Sequence, residues 1–253
     1  MLINERHNLI ILELQKNPNI TVREMASKLN FSEPTIRRDY TELARRGIIT
    51  KVYGGVILNR IAGAADREIP FILRENERSK PKEKMGMLAS KYIRDGMVIM
   101  LDGSTSAYHL VPCLSKFKDI IVVTSGAKTA VALAELHIPV FCTGGKMRTN
   151  SFSYIGKEAE DAVRKYNADI MFFSCHGVND KGMLTDPSLP ETQIRKVAMN
   201  QSKKTVFLCD ETKISLSTPY NLVSIQTVDH VITNSALVHR YFQTEEKGQI
   251  IIA

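Results

Sequence analysis

At 253 residues, with 43% hydrophobic and 24% charged positions, the chain suffices for one small and one larger globular domain, and no run approaches an uncharged membrane span. The formal charge of +7 suits a phosphate-rich partner but does not separate DNA, RNA and a small anion. Residues 1–60 hold ten Lys/Arg against six Asp/Glu, a net of +4, leaving twenty-four against twenty-one over the other 193, so the excess lies at the amino end.

Leu9, Ile10, Leu12 and Leu14 among polar neighbours predict a first helix that ends at Asn17-Pro18-Asn19, because proline lacks the amide a helix interior needs. Thr21-Val22-Arg23-Glu24 fits a capping box that opens a second helix, with Met25, Ala26 and Leu29 as its apolar face. Asn30-Phe31 makes a turn, Ser32 caps a third helix, and Gly47 suits that helix's end. On the third helix Ile36, Tyr40 and Leu43 share a face, which turns Thr35, Arg37 and Arg38 outward near the amino end, where a recognition helix meets base edges. Ile48–Tyr53 reads as a strand, Gly54-Gly55 as its turn and Val56–Leu58 as the return, giving a wing on which Lys51 can touch phosphate. Thr21, Ser32, Thr35, Arg37, Arg38 and Lys51 form the expected set of contacts to double-stranded DNA. Because one short recognition helix reads too few base pairs, a homo-oligomer on repeated half-sites is expected.

Ser32-Glu33-Pro34-Thr35-Ile36-Arg37-Arg38-Asp39, with Leu43, Gly47 and Tyr53-Gly54-Gly55, resembles the DeoR-type helix-turn-helix over nearly the whole amino-terminal region. Tyr40 stands where leucine is usual. The domains expected are a winged helix-turn-helix at 1–58, a polar mixed-charge linker at 59–81 with Phe71, Ile72 and Leu73 docked, and a ligand-sensing domain at 82–253.

Beyond Lys82, short apolar runs alternate with helical patterns: Val98–Leu101, Ile120–Val123, Val140–Cys142, Ile170–Phe173, Val206–Leu208 and Val231-Ile232. Such runs suit strands buried on both faces of a mostly parallel α/β sheet, whose ligands gather beyond the strands' carboxyl ends. Small polar turns follow them: Asp102-Gly103-Ser104-Thr105, Thr124-Ser125-Gly126, Thr143-Gly144-Gly145-Lys146, Ser174-Cys175-His176-Gly177 and Asp210-Glu211-Thr212-Lys213. Gly103-Ser104-Thr105 leads into a helix at Ala107–Leu110, so free amides, hydroxyls and the helix dipole can hold a phosphate, with Lys146, Arg148 and Lys213 as nearby cations. The sequence has neither a G-x-G-x-x-G nor a P-loop pattern, so no dinucleotide or nucleoside triphosphate site is assigned.

Lys84, Asp102–Thr105, Thr124, Gly144-Gly145 with Arg148, Gly156, Gly177, Gly182 and Asp210 with Lys213 resemble the DeoR-family sensor, which is similar in fold to ribose-phosphate isomerase and the coenzyme A transferases. The resemblance runs from the linker to Asn234 and implies a sugar-phosphate effector, its phosphate near Gly103, Ser104 and Thr105 and its charged groups near Arg148 and Lys213. The expected ligand set is Asp102, Gly103, Ser104, Thr105, Thr124, Ser125, Gly145, Arg148, Asp210 and Lys213. Ser104, Ser125 and the Pro190-Glu191 start of the helix leading to Lys196 depart from the pattern and leave the sugar unnamed.

The function expected is therefore a repressor of sugar-metabolism genes, released from its operator by a phosphorylated sugar. The alternative is a sugar-phosphate isomerase or transferase with an added DNA-binding module, in which Asp102, Glu191 and Asp210 would carry acid-base chemistry rather than bind hydroxyls. Cys142, Cys175 and Cys209 end strands near His176, but without local ligand spacing they read as core residues; Cys113 is equally isolated, and no metal or cofactor is expected. Met1–Arg6 carries no export signal, so the expected location is the cytoplasm.

Overall fold

A computed structural model describes residues 3–17, 20–45, 48–52, 55–58, 70–242 and 249–253. They form two compact units, Met1–Leu73 and Arg74–Ala253. The expected helix stop at Pro18-Asn19, the end at Gly47, Tyr53 of the expected strand, Gly54 of the expected turn and linker positions 59–69 lie outside the described residues.

The first unit runs α1 (Ile3–Lys16), α2 (Val22–Leu29), α3 (Glu33–Arg45), β1 (Ile49–Val52) and β2 (Gly55–Leu58). The capping box forms as the sequence predicts: the Glu24 amide donates to Thr21 Oγ1 at 3.2 Å and the Thr21 amide to Glu24 Oε2 at 2.8 Å, which satisfies amides that the first turn leaves without partners. Asn30 ends α2 in the left-handed region at φ 59°, a conformation asparagine tolerates. Ile10, Leu14, Met25, Ile36, Leu43 and Val56 close one core, so three helices and the hairpin share a single apolar interior. β1 and β2 pair antiparallel with Val52 opposite Gly55, which corrects the expected Gly54-Gly55 turn: Gly55 belongs to the strand.

The chain enters the second unit within α4 (Phe71–Asn76) and continues through α5 (Ser79–Ala89), β3 (Val98–Leu101), α6 (Thr105–Tyr108), β4 (Ile121–Thr124), α7 (Ala127–Glu135) and β5 (Val140–Cys142). A hairpin of β6 (Lys146–Arg148) and β7 (Ser153–Ile155) precedes α8 (Lys157–Val163), β8 (Ile170–Phe173), β9 (Gly177–Val178) and β10 (Met183–Asp186). Then come α9 (Leu189–Asn200), β11 (Thr205–Cys209), β12 (Tyr220–Ser224), β13 (His230–Thr233) and β14 (Gln249–Ile252).

Among the described residues seven strands form one parallel sheet in the order β14-β13-β11-β8-β3-β4-β5. Successive side chains leave a strand on opposite faces. Accordingly Met100, Met171, Phe173 and Phe207 enter one core cluster, while Ile99, Leu101, Phe172, Val206 and Leu208 enter the other. That double burial explains why these strands read as unbroken apolar runs. β9, β10 and β12 form a separate antiparallel sheet whose short strands the sequence reading did not resolve. The chain winds outward from β3 through β4 to β5, then returns to β8 beside β3 and winds outward the other way. The strand order therefore reverses between β3 and β8, and such a reversal opens a crevice at the carboxyl ends.

Candidate functional site

In the first unit, α3 packs through Ile36, Tyr40 and Leu43, and this inward face leaves Arg37 and Arg38 exposed. Arg37 makes one loose contact, to Glu33 Oε2 at 3.4 Å across one helical turn, and its side chain is 65% accessible. Lys51 Nζ donates to Thr41 Oγ1 at 2.8 Å and so tethers the wing to α3. An open groove bounded by Thr21, Arg23, Arg37, Thr41, Lys51 and Val52 runs between the start of α2, the outer face of α3 and the wing. Thus Thr21, Arg37 and Lys51 come together in one groove. Ser32 and Thr35 pair their hydroxyls at 2.8 Å at the start of α3 and, like Arg38, stand outside the lining of that groove.

The acid that follows the two arginines turns the other way. Asp39 is buried, accepts from Arg6 Nε at 2.6 Å and Nη2 at 2.9 Å, and lies 3.0 Å from His7 Nε2, so it fastens α1 to α3. A charge so enclosed holds only with partners. Arg6 and His7 were not singled out in the sequence because their partner lies more than thirty positions away.

In the second unit the reversal between β3 and β8 brings Asp102 and Ser174 side by side. Asp102 Oδ1 accepts from the Ser104 amide at 3.1 Å, while Oδ2 accepts from the Ser174 amide at 3.1 Å and from Arg195 Nε at 2.9 Å. Ser104 caps α6, taking the Ala107 amide on its Oγ at 3.1 Å. The first two helical amides, those of Thr105 and Ser106, have no acceptor within the helix by position, as an anion-binding turn requires. α6 is a single turn, shorter than the helix expected there, and a 3₁₀ stretch over Val111–Lys116 follows it. Lys213 Nζ donates to Ser174 Oγ, lies 3.4 Å from Ser106 Oγ and 3.7 Å from Asp210 Oδ2. Burial opposes ionisation of Asp210, yet Lys213, the Thr212 hydroxyl and amide, and Lys82 hold its pKa below the ordinary carboxylate value.

Thr124 and Ser125 reach the same crevice from β4. Thr124 Oγ1 accepts from the Gly126 amide at 3.0 Å, and the Ser125 carbonyl accepts from the Tyr154 amide at 2.7 Å, which draws the β6–β7 hairpin against the strand ends. Gly103 is needed there, since a Cβ would lie 2.8 Å from Ser153 Cβ. Gly145 serves the backbone of that hairpin: its φ is +98° and a Cβ would lie 2.9 Å from the Ile155 carbonyl. Arg148, also expected at the ligand's charged groups, has its Nε 3.6 Å from Glu191 Oε1.

Several residues of this region went unassigned in the sequence. Arg195 is buried, with Nε on Asp102 and Nη1 on Asp186; burial disfavours its charge, but the three carboxylates of Asp186, Asp102 and Glu191 raise its pKa well above the ordinary value. Lys196, the cation flagged beside it, is exposed. Ser153 Oγ donates to Glu191 Oε1, and Ser151 Oγ lies 2.7 Å from Ser153 Oγ. Lys82 is buried and donates to the Glu77 carbonyl at 2.7 Å and to that of Arg74; burial, then the like charge of Lys213, lowers its pKa to about 8. Burial likewise lowers that of His176 to about 4. A signal was available for Arg195: it stands four residues after Glu191 and so shares its face of α9, with Ala198 three positions on. Cys142 is exposed at the edge strand while Cys175 and Cys209 are buried, so the three thiols differ in setting.

Two family descriptions match the chain: a DeoR-like helix-turn-helix domain over residues 6–62 and a DeoR C terminal sensor domain over residues 77–235. The HTH-type transcriptional regulator GolR of Listeria innocua serovar 6a is 32% identical over 234 residues, covering 92% of this chain and 91% of its own. The glycerol-3-phosphate regulon repressor of Escherichia coli K12 is 23% identical over 232 residues, covering 91% of this chain and 90% of its own. Among solved structures, ribose 5-phosphate isomerase A of Methanocaldococcus jannaschii aligns with a TM-score of 0.41 at 19% identity over 55% of each chain.

Proposed function

The chain belongs to the DeoR family of DNA-binding transcriptional regulators, and from that membership we propose that it represses genes of sugar metabolism and leaves its operator when a phosphorylated sugar binds the second unit. The observation that carries the ligand reading is the turn at the strand reversal, where the Thr105 and Ser106 amides open α6 and Lys213 Nζ lies 3.4 Å from Ser106 Oγ. Amides at a helix start beside an ammonium favour a phosphoryl group. For the DNA, the groove with Thr21, Arg37 and Lys51 supplies phosphate and base-edge donors, with Ser32, Thr35 and Arg38 flanking it. Phosphate contacts give affinity and base contacts give selectivity, so a homo-oligomer on repeated half-sites supplies the information one helix lacks.

The effector leaves as it entered. Asp102 spends three acceptor positions on protein donors, and Asp210 is held ionised beside Lys213, so neither is poised to shuttle a proton to a sugar carbon. Release follows if the effector binds the DNA-free form more tightly, and a coupling of about 1 to 3 kcal/mol changes operator affinity roughly 5-fold to 150-fold. Among the described residues no helix is long and apolar enough to cross a membrane. This accords with a regulator that meets DNA and metabolites in the cytoplasm.

The test joins a thermal-shift screen of phosphorylated and unphosphorylated sugars to anisotropy of a labelled operator. A phosphorylated sugar stabilises the protein and lowers operator affinity, its dephosphorylated form does neither, and the sugar recovered after long incubation is unchanged by nuclear magnetic resonance. Lys213→Ala abolishes both responses. Steady conversion of the sugar, lost with Asp102→Asn, would establish the isomerase reading instead.

A further inference from the structure

Beside the phosphate turn, at Asp102 and Gly103, the crevice narrows into a cleft whose lining differs in character. Near the turn stand Lys213, with Asp210 Oδ2 3.7 Å from its Nζ, and behind it Lys82, while Asp102 at the turn itself is taken up by Arg195 and backbone amides. Further in, Thr124, Ser125, Thr143 and Ser153 supply hydroxyls, Asp102, Glu191 and Arg195 supply the charges, and apolar side chains such as Val123, Val163 and Ile194 share the lining. Arg195 is committed to Asp102 and Asp186, and Arg148 stands 3.6 Å from Glu191. Three carboxylates against two guanidinium groups leave this end with an excess negative charge.

Glu191 decides what that excess does. It is buried, it lines the cleft, and burial that would neutralise it is overcome by Arg195, by the Ser151 and Ser153 hydroxyls and by Arg148, which hold its pKa below the ordinary value. Its Oε1 takes Ser153, and an ionised carboxylate has about four acceptor positions and no proton to give. It can therefore accept from a sugar hydroxyl, whereas a second phosphate or a carboxylate in the cleft would meet it as a like charge in a poorly screened setting.

Resting on the sugar-phosphate reading above, we infer that Glu191 restricts the effector to a polyhydroxyl compound with one phosphate and no second anionic group. The cationic end takes the phosphate. The hydroxyl-lined end, with Glu191, accepts neutral hydroxyls and turns away sugar bisphosphates and phosphorylated sugar acids.

Calorimetric titration of the full chain tests this with matched skeletons: fructose 1-phosphate, fructose 6-phosphate and fructose 1,6-bisphosphate; glucose 6-phosphate and 6-phosphogluconate; ribose 5-phosphate and ribulose 1,5-bisphosphate. The wild type binds at least one monophosphate, and the doubly anionic partner of that skeleton binds at least tenfold more weakly. Glu191→Gln, which keeps shape and an acceptor while removing the charge, narrows the gap to within about threefold. The wild-type comparison needs no variant, so it stands even if Glu191→Gln unfolds. A doubly anionic ligand that binds as tightly as its monophosphate overturns the inference, as does an unchanged gap in folded Glu191→Gln. If no phosphorylated sugar binds the wild type at millimolar concentration, the sugar-phosphate reading falls first and the inference with it.

Discussion

The two units treat positive charge in opposite ways. In the first, Arg37, Arg38 and Lys51 are exposed, Arg37 loosely engaged with Glu33 and Lys51 held by a neutral hydroxyl; in the second, Arg195 and Lys82 are buried and hold carboxylates or backbone carbonyls. An exposed cation gives little to folding and is available to a polyanion outside, whereas a buried one is part of the architecture and fails badly when its partners are left alone. The contrast has one exception in the first unit, Arg6 on buried Asp39, which behaves like the second.

The largest break in this comparison comes from Arg195→Leu. Asp102 and Asp186 then remain buried without their cation, and the second unit loses about 3 to 5 kcal/mol in urea unfolding. A loss under about 1 kcal/mol would show that solvent enters the cluster and that it is not architectural.

Lys82 sharpens the comparison through pH. Its pKa is lowered to about 8 in the fold from an ordinary 10.5, so between those values the unfolded chain binds the extra proton and stability rises with pH. Measured as wild type minus Lys82→Met, the second unit gains up to about 3 kcal/mol across that window and shows no such slope below pH 7. A flat difference would mean that the carbonyls of Arg74 and Glu77 keep the ammonium charged.

In the first unit the same kind of residue has the reverse effect. Arg37→Ala and Arg38→Ala each leave stability within about 0.5 kcal/mol while weakening operator binding by about 1 to 3 kcal/mol where a base edge is lost, or flattening the salt dependence where a phosphate is lost. Unchanged operator affinity in the double variant would remove α3 from the interface. The smallest effect is expected at Thr21→Ala, which deletes the cap of α2 and lowers the first unit's stability by about 1 kcal/mol in thermal unfolding. The Thr21 position also borders the groove, so an affinity loss larger than the stability loss would assign it a DNA contact.

What could be read from residues alone follows the range of the interactions. The capping box at Thr21–Glu24, the inward face of α3 and the double-buried strands depend on neighbours within about four positions, and local spacing reports them directly. The Asp102–Thr105 turn was legible for the same reason, since cap and first turn are contiguous. Gly55, expected in the hairpin turn, belongs to β2 because register depends on the opposite strand, where Val52 faces it. Sequence by itself thus determined the helix-turn-helix, the parallel α/β character and the serine-capped turn after β3. Only tertiary structure decided the partners: Arg6 with Asp39, Arg195 with Asp102, Lys213 with Ser174, and Arg148 with Glu191. Those pairs lie 33, 93, 39 and 43 positions apart in the chain, and the closing of α1 on α3 or the packing of turns and helices at the ends of the parallel strands brings each together. Chain topology sets such meetings, and a buried charge records its partner only in three dimensions, because the energy that selects it comes from exclusion of water and not from any local pattern.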